Sequence, residues 1–330
     1  MRKNEFSQSC LFAWRAVMLG AGFALALAGC QREASQGSGE VAYVSGANVE
    51  FRDELGPSSK VIGRLQSGER IRILSRRPRW AEVRGPSGAT GWVLQRHLVS
   101  QEVYDQFAKL AREAEVLPSQ GRAVLRRDAN LHREPGRNTP AFYQLGDGEQ
   151  VEVVRHRVAA RNAASGETSA GETASGPRPE LSAASNEDWV LVRASRGRTG
   201  WLLEGAADLN PPMEIAQYRE GLRIRAWFEI YREKDPSGEH PWYLWATIRR
   251  LAGLPQDYDE IRVFVWNPRT SRYETSYRER NLTGFYPIVI GTRQTPDGET
   301  PTFRLQLEDA SGQRHGKNYF MLGRQVRVDH

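Results

Sequence analysis

Cysteine is almost missing from this chain: Cys10 and Cys30, both near the start, are the only two. Whatever folds after residue 30 is therefore built without disulfides or thiolate zinc sites, and it has no cysteine nucleophile. Histidine is sparse as well. His97, His132, His156, His240, His315 and His330 are dispersed, no two of them have metal-binding spacing, and most are expected at the surface. No metal and no cofactor is expected. Lysine occurs only at Lys3, Lys60, Lys109, Lys234 and Lys317, so arginine carries nearly all the positive charge. The formal net charge is +6, with arginines scattered among acids along every segment. Nucleic-acid binding needs basic charge gathered on one element, so no nucleic-acid partner is expected. Long apolar runs are lacking too, since Ala16 to Leu27 is too short to span a bilayer as a helix.

That short run nonetheless has a recognisable setting. Arg2, Lys3 and Arg15 flank it with positive charge, and Leu27-Ala28-Gly29-Cys30 closes it with small residues before a cysteine. This resembles the lipobox of bacterial lipoprotein signal peptides. The resemblance implies removal of residues 1–29, acylation of Cys30 and a mature chain held on a membrane by buried acyl chains. Gln31 after the cysteine implies an outer-membrane destination, facing the periplasm. The alternative is an ordinary secretory signal in which Cys30 is incidental. About 300 residues would remain, enough for two or three domains with their own cores.

Two segments then repeat one layout. Trp80-Ala81-Glu82-Val83-Arg84 lies over Trp189-Val190-Leu191-Val192-Arg193, and Thr90-Gly91-Trp92-Val93-Leu94 over Thr199-Gly200-Trp201-Leu202-Leu203, the tryptophans 12 positions apart in both copies. Upstream, Leu65-Gln66-Ser67-Gly68-Glu69 matches Leu145-Gly146-Asp147-Gly148-Glu149, and Ala47-Asn48-Val49 matches Ala129-Asn130-Leu131. Alternation such as Ile71 and Ile73, or Val151 and Val153, marks short strands between glycine and polar turns, the pattern of small β-barrels.

Asn48-Val49, Gly56-Pro57, Gly63, Leu65, Gly68, Trp80, Val83, Gly91-Trp92 and Val93 resemble the bacterial SH3-like (SH3b) domain pattern. The first copy, 41–100, fits better. The second, 121–210, has Glu134-Pro135-Gly136 where the family usually has arginine and serine. Glycine before tryptophan is expected to permit a tight or positive-φ turn that lets the indole fold onto the barrel. Trp80, Trp92, Trp189 and Trp201 are read either as packing residues or as ligand contacts, since SH3-type barrels bind peptides on exposed aromatics.

Between the copies, Val103, Phe107, Leu110, Ala111, Ala114 and Leu117 recur at helical spacing until Pro118, so a connector helix is expected over 101–118. Its stripe is expected to pack on a barrel, because its other face is mixed in charge. The second copy carries an insertion: Val154 to Trp189 spans 35 positions where Leu74 to Trp80 spans 6. Residues 159–186 are rich in Ala, Ser, Gly, Glu and Thr, repeat Gly-Glu-Thr and are expected to be disordered. Residues 30–40 read as a flexible tether.

From 213 to 330 the chain becomes aromatic and strand-like. Strands are expected from Leu222, at Trp242 to Arg249, Ile261 to Asn267, Tyr273 to Glu279, Phe285 to Ile290, Thr302 to Glu308 and Tyr319 to Leu322, with turns at Asn267-Pro268 and Asp309-Ala310-Ser311-Gly312. The expected fold class is thus all-β: tandem SH3-like small β-barrels joined by a short helix, followed by an antiparallel β-sandwich or barrel-like domain. Arg225, Trp227, Tyr243, Trp245, Arg262 and Trp266 form either a second core layer or an aromatic platform for sugar or peptide. Asp257, Asp259 and Glu260 lack the glycine and distal acid of a calcium loop, and a solvated loop is expected there.

The leading expectation is a non-enzymatic envelope lipoprotein whose modules bind cell-wall peptide, peptidoglycan or an envelope protein. The SH3b family often accompanies cell-wall cysteine peptidases, but no cysteine follows residue 30. A carboxylate-based glycan hydrolase in the C-terminal domain, using Glu229, Asp259 or Glu274, is the enzymatic alternative. A third reading makes that domain a protein-interaction scaffold.

Overall fold

The computed structural model describes residues 39–161, 186–249, 253–296 and 298–329, and Gly39–His330 forms one compact unit. Cys30, the signal segment and most of the low-complexity insertion lie outside the described residues. The architecture is β throughout, in three seven-stranded antiparallel sheets.

The first module comprises β1 (Glu40–Val44), β2 (Val49–Arg52), β3 (Val61–Leu65), β4 (Arg70–Arg76), β5 (Trp80–Arg84), β6 (Thr90–Leu94) and β7 (Leu98–Ser100), in sheet order β3-β2-β6-β5-β4-β1-β7. Alternation places Val49, Phe51, Ile71, Ile73, Ala81, Val83 and Val93 inside. The second module has β8 (Gly121–Leu125), β9 (Ala129–His132), β10 (Ala141–Leu145), β11 (Gln150–Ala160), β12 (Asn186–Ala194), β13 (Thr199–Leu203) and β14 (Ala207–Leu209). Its sheet order, β10-β9-β13-β12-β11-β8-β14, reproduces the first strand for strand. The β11–β12 hairpin stays paired out to Ala160 and Asn186, so the ends of the segment expected to be disordered are strand.

The expected positive-φ turn at Gly-Trp is not what the fold uses. Gly91 and Gly200 lie inside β6 and β13 and are absent from the positive-φ glycines. They are required by close approach: a methyl group on Gly91 would stand 2.8 Å from the Phe51 ring, and one on Gly200 2.6 Å from Leu131 Cβ. The neighbouring strand crosses directly over each glycine, with room for a hydrogen and nothing larger.

Helix α1 (Gln101–Glu115) joins the modules. Ser100 caps its start by accepting from the Val103 amide. One side packs Phe107 and Tyr104 on Tyr43 and Phe142, with Tyr43 and Tyr104 stacked at 3.8 Å. Another side sends Leu110, Ala114 and Leu117 onto Val154, Trp189, Leu191 and Trp201. Thus the helix is buried between both modules, not on one of them.

A short α2 (Met213–Ala216) leads into the third sheet, a meander of β15 (Arg223–Asp235), β16 (Gly238–Ile248), β17 (Tyr258–Asn267), β18 (Arg272–Thr295), β19 (Gly298–Glu308), β20 (Arg314–Leu322) and β21 (Gln325–Asp329). It is one continuous sheet. β18 unites the two strands read at 273–279 and 285–290, and β21 adds one that the sequence reading missed. β15 touches β18 and β19, which are not its sheet neighbours, so the sheet curls around an interior of Trp242, Leu244, Val263, Phe303, Leu305 and Tyr319. Its outer face sends Ile224, Tyr243, Trp245, Phe264 and Tyr273 into the core of the second module, making one shared apolar cluster. Among the described residues, no helix is long and apolar enough to cross a membrane.

Candidate functional site

Register makes the two modules comparable residue by residue. Glu82 pairs with Trp92, Trp80 with Leu94 and Arg84 with Thr90, just as Leu191 pairs with Trp201, Trp189 with Leu203 and Arg193 with Thr199. Bulges coincide as well: Leu74 corresponds to Val154, and Ile62 to Phe142. Because side chains alternate across a strand, all of these outward residues share one face in each module.

The two faces differ in what covers them. In the second module, Val154, Trp189, Leu191 and Trp201 are buried beneath α1, Phe142 lies under Phe107, and the two tryptophans are only 1% and 3% exposed. Arg193 completes that seat. Its Nη1 donates to the carbonyl oxygens of Ala114, Glu115 and Leu117 at 3.0–3.2 Å, closing the helix C-terminus, while Glu152 holds its Nη2 at 2.8 Å. In the first module no described element lies on the corresponding face. Trp80, Trp92 and Leu94 are half-buried, whereas Leu74 and Ile62 are 41% and 43% exposed. Arg84 is exposed and has no hydrogen-bond or ion-pair partner among the described residues. Glu82, where the second module has Leu191, accepts a hydrogen bond from Ser75 Oγ at 2.9 Å.

Of the eight aromatic candidates, the structure leaves two, Trp80 and Trp92, side by side on an uncovered face. Trp189 and Trp201 are covered by protein. Tyr243 and Trp245 belong to the core shared by the second module and the third sheet. Trp227 is pinned there, its amide donating to Gln120 O at 3.1 Å. Trp266 stacks on His240 at 4.0 Å and donates from Nε1 to Asp235. Most members of the aromatic and arginine set thus lie in an internal seam and not on a free platform. Glu229, Asp259 and Glu274 are spread over β15, β17 and β18 and are each taken up by a nearby arginine.

The seam also holds a cluster that the sequence does not single out: most histidines are expected at the surface, and Asp257 and Glu260 in a solvated loop. His156 is 7% exposed, and Asp257 and Glu260 are buried at the start of β17. His156 Nδ1 lies 2.7 Å from Asp257 Oδ1 and its Nε2 2.9 Å from Asp188 Oδ1. Buried Arg225 reaches Glu204 at 2.6 Å and Asp188 at 3.4 Å, and Arg223 reaches Glu204 at 2.7 Å. Burial works against an imidazolium at His156, but the two carboxylates outweigh it and lift its pKa above the ordinary value. Burial likewise resists charge on Asp188, yet the His156 hydrogen bond and Arg225 hold its carboxyl at about 2. Glu260 is satisfied by Arg278 at 2.8 Å and Arg280 at 3.2 Å. Compensation by partners is what lets these acids be buried. Tyr286 joins the cluster, its amide donating to Asp257 Oδ2 and its hydroxyl to the Arg225 carbonyl, and the whole set clamps the second module to the third sheet.

The bacterial SH3 domain family matches residues 47–99, which is the first module. No curated protein matches the chain. Among solved structures it is similar to an NlpC/P60 family protein from Bacillus cereus, at 9% identity and a TM-score of 0.23, covering 53% of this chain and 57% of that one. The chain thus spans little more than half the length of that neighbour. It is also similar to NlpC1 from Trichomonas vaginalis, at 11% identity and a TM-score of 0.18, covering 75% of this chain and 95% of the other.

Proposed function

We propose that the chain is a non-catalytic recognition protein of the bacterial envelope, lipidated at Cys30, in which the first module holds a peptide at the cell wall. The observation that carries this reading is the coincidence of the SH3 match at 47–99 with the face left uncovered. Half-buried tryptophans flanked by exposed aliphatics offer rigid contact area at low entropic cost. The second module, whose strand order repeats the first, is on this reading a diverged copy given over to scaffolding, and the third sheet braces it. Leu27-Ala28-Gly29-Cys30 supports the anchor, and an outer-membrane site facing the periplasm accords with Gln31.

Two measurements test it. Cells fed a labelled fatty acid are expected to incorporate label into the wild-type chain and not into Cys30→Ser, which moves from the membrane to the soluble fraction. The soluble Cys30→Ser chain is then expected to pellet with purified peptidoglycan, and less so when Trp80 and Trp92 are both replaced by alanine. Persistence of Cys30→Ser in membranes removes the anchor, and a chain that stays in the supernatant removes the wall as ligand. Release of soluble wall fragments would replace recognition with turnover.

A further inference from the structure

We infer that the open face of the first module is a seat for an amphipathic helix supplied by a partner protein, carrying a basic residue within its apolar stripe. This rests on the reading of the first module as the recognition unit and names the class of partner. The molecule already displays the complex it calls for, because the second module holds α1 on the equivalent face. Five of the apolar groups in that seat have apolar counterparts here: Phe142 and Ile62, Trp201 and Trp92, Trp189 and Trp80, Val154 and Leu74, Leu203 and Leu94. The helix-end receptor is duplicated too. Arg193 binds the last carbonyls of α1, and Arg84 stands at the same register position, exposed and unpartnered among the described residues.

Two substitutions set the chemistry of the occupant apart from that of α1. Glu82 replaces Leu191 in the middle of the apolar stripe, so a purely apolar helix would strand a carboxylate, and a lysine or arginine there would pair with it. Arg72 replaces Glu152 across from the helix-end arginine, so two exposed arginines await the C-terminal turn. The helix dipole and any acidic residue following it complement that charge. The occupant is thus apolar along one stripe, with a basic residue set into it opposite Glu82, and acidic just past its C-terminal end. α1 cannot fill the site itself, being enclosed between the modules.

The test uses the soluble Cys30→Ser chain and two fluorescent peptides, one with the sequence of residues 101–117 and one carrying Ala114→Lys, since Ala114 lies in the buried cluster with Leu191. Anisotropy is expected to show the lysine peptide binding wild-type protein about tenfold more tightly than the unchanged peptide, and Glu82→Leu reversing that order. Arg84→Glu, an exposed change, is expected to weaken both peptides, with thermal melts confirming an intact fold. Failure of either peptide to bind, or equal binding to wild type, Glu82→Leu and Arg84→Glu, overturns the helix seat. If the chain still pellets with peptidoglycan in that event, the helix is wrong and wall recognition stands. If pelleting is also absent, both readings fall together.

Discussion

At the scale of single residues, the clamp at His156 fixes how stability responds to pH. A histidine raised above its ordinary value contributes fully below about pH 6.5, its unfolded value, and loses that contribution as pH climbs through the folded value. Asp188, lowered to about 2, contributes fully above about pH 4 and loses it as pH falls towards 2. The thermal midpoint is therefore expected to be highest between these limits and to decline on the alkaline side. His156→Gln should flatten the alkaline decline and reduce the acidic one without abolishing it, because Arg225 still faces Asp188, and equal slopes in both proteins would assign the pH response elsewhere. Gly91→Ala and Gly200→Ala are each expected to cost about 1–3 kcal/mol in urea unfolding, because backbone and ring must move aside. The glycines were legible in the sequence as invariants of the repeat, but their cause was not. Close approach of another strand leaves no local trace, whereas a turn glycine does. His156 was invisible for a similar reason, since its partners Asp188 and Asp257 are 32 and 101 residues away.

At the scale of elements, α1 is where local signal and tertiary outcome part company. Its period and its stop at Pro118 were readable, because 3.6-residue spacing and proline breaks are properties of the segment itself. That it would be enclosed on two sides was not, since Phe107 and Leu110 look alike in a helical stripe, yet Phe107 joins a cluster with Tyr43 and Phe142 from both modules and Leu110 one from the second module alone. Phe107→Ala is expected to cost about 3–5 kcal/mol, as befits a buried aromatic at a three-way contact, against about 1 kcal/mol for Ser100→Ala. Chemical denaturation separates the two, and a smaller loss at Phe107 than at Ser100 would mean that the helix is not locked between the modules. Strand β18 shows the converse error. The sequence leaves a break between Glu279 and Phe285, yet pairing with β17 runs through Arg280 to Gly284 across a bulge.

At the scale of the whole molecule, the second module and the third sheet share one core, so they are expected to melt as one cooperative unit. Calorimetry of Cys30→Ser and Cys30→Ser with Trp245→Ala tests this: the substitution should lower that single transition, and two transitions of which only one shifts would contradict it. The strand content of each region was legible from alternation, but which face of the third sheet was spoken for was not, because both faces of β16 and β17 are apolar. The clamp across this seam has one more consequence. With its histidine protonated it counts three cations, His156, Arg223 and Arg225, against three anions, Asp188, Glu204 and Asp257, drawn from both sides. Neutralising any one member widows another in a dry place, while removing an opposite-signed couple keeps the sum at zero. Such a set is inherited as a block, and a chimera that grafts a foreign third sheet onto this chain must import the matching half of the ledger with it.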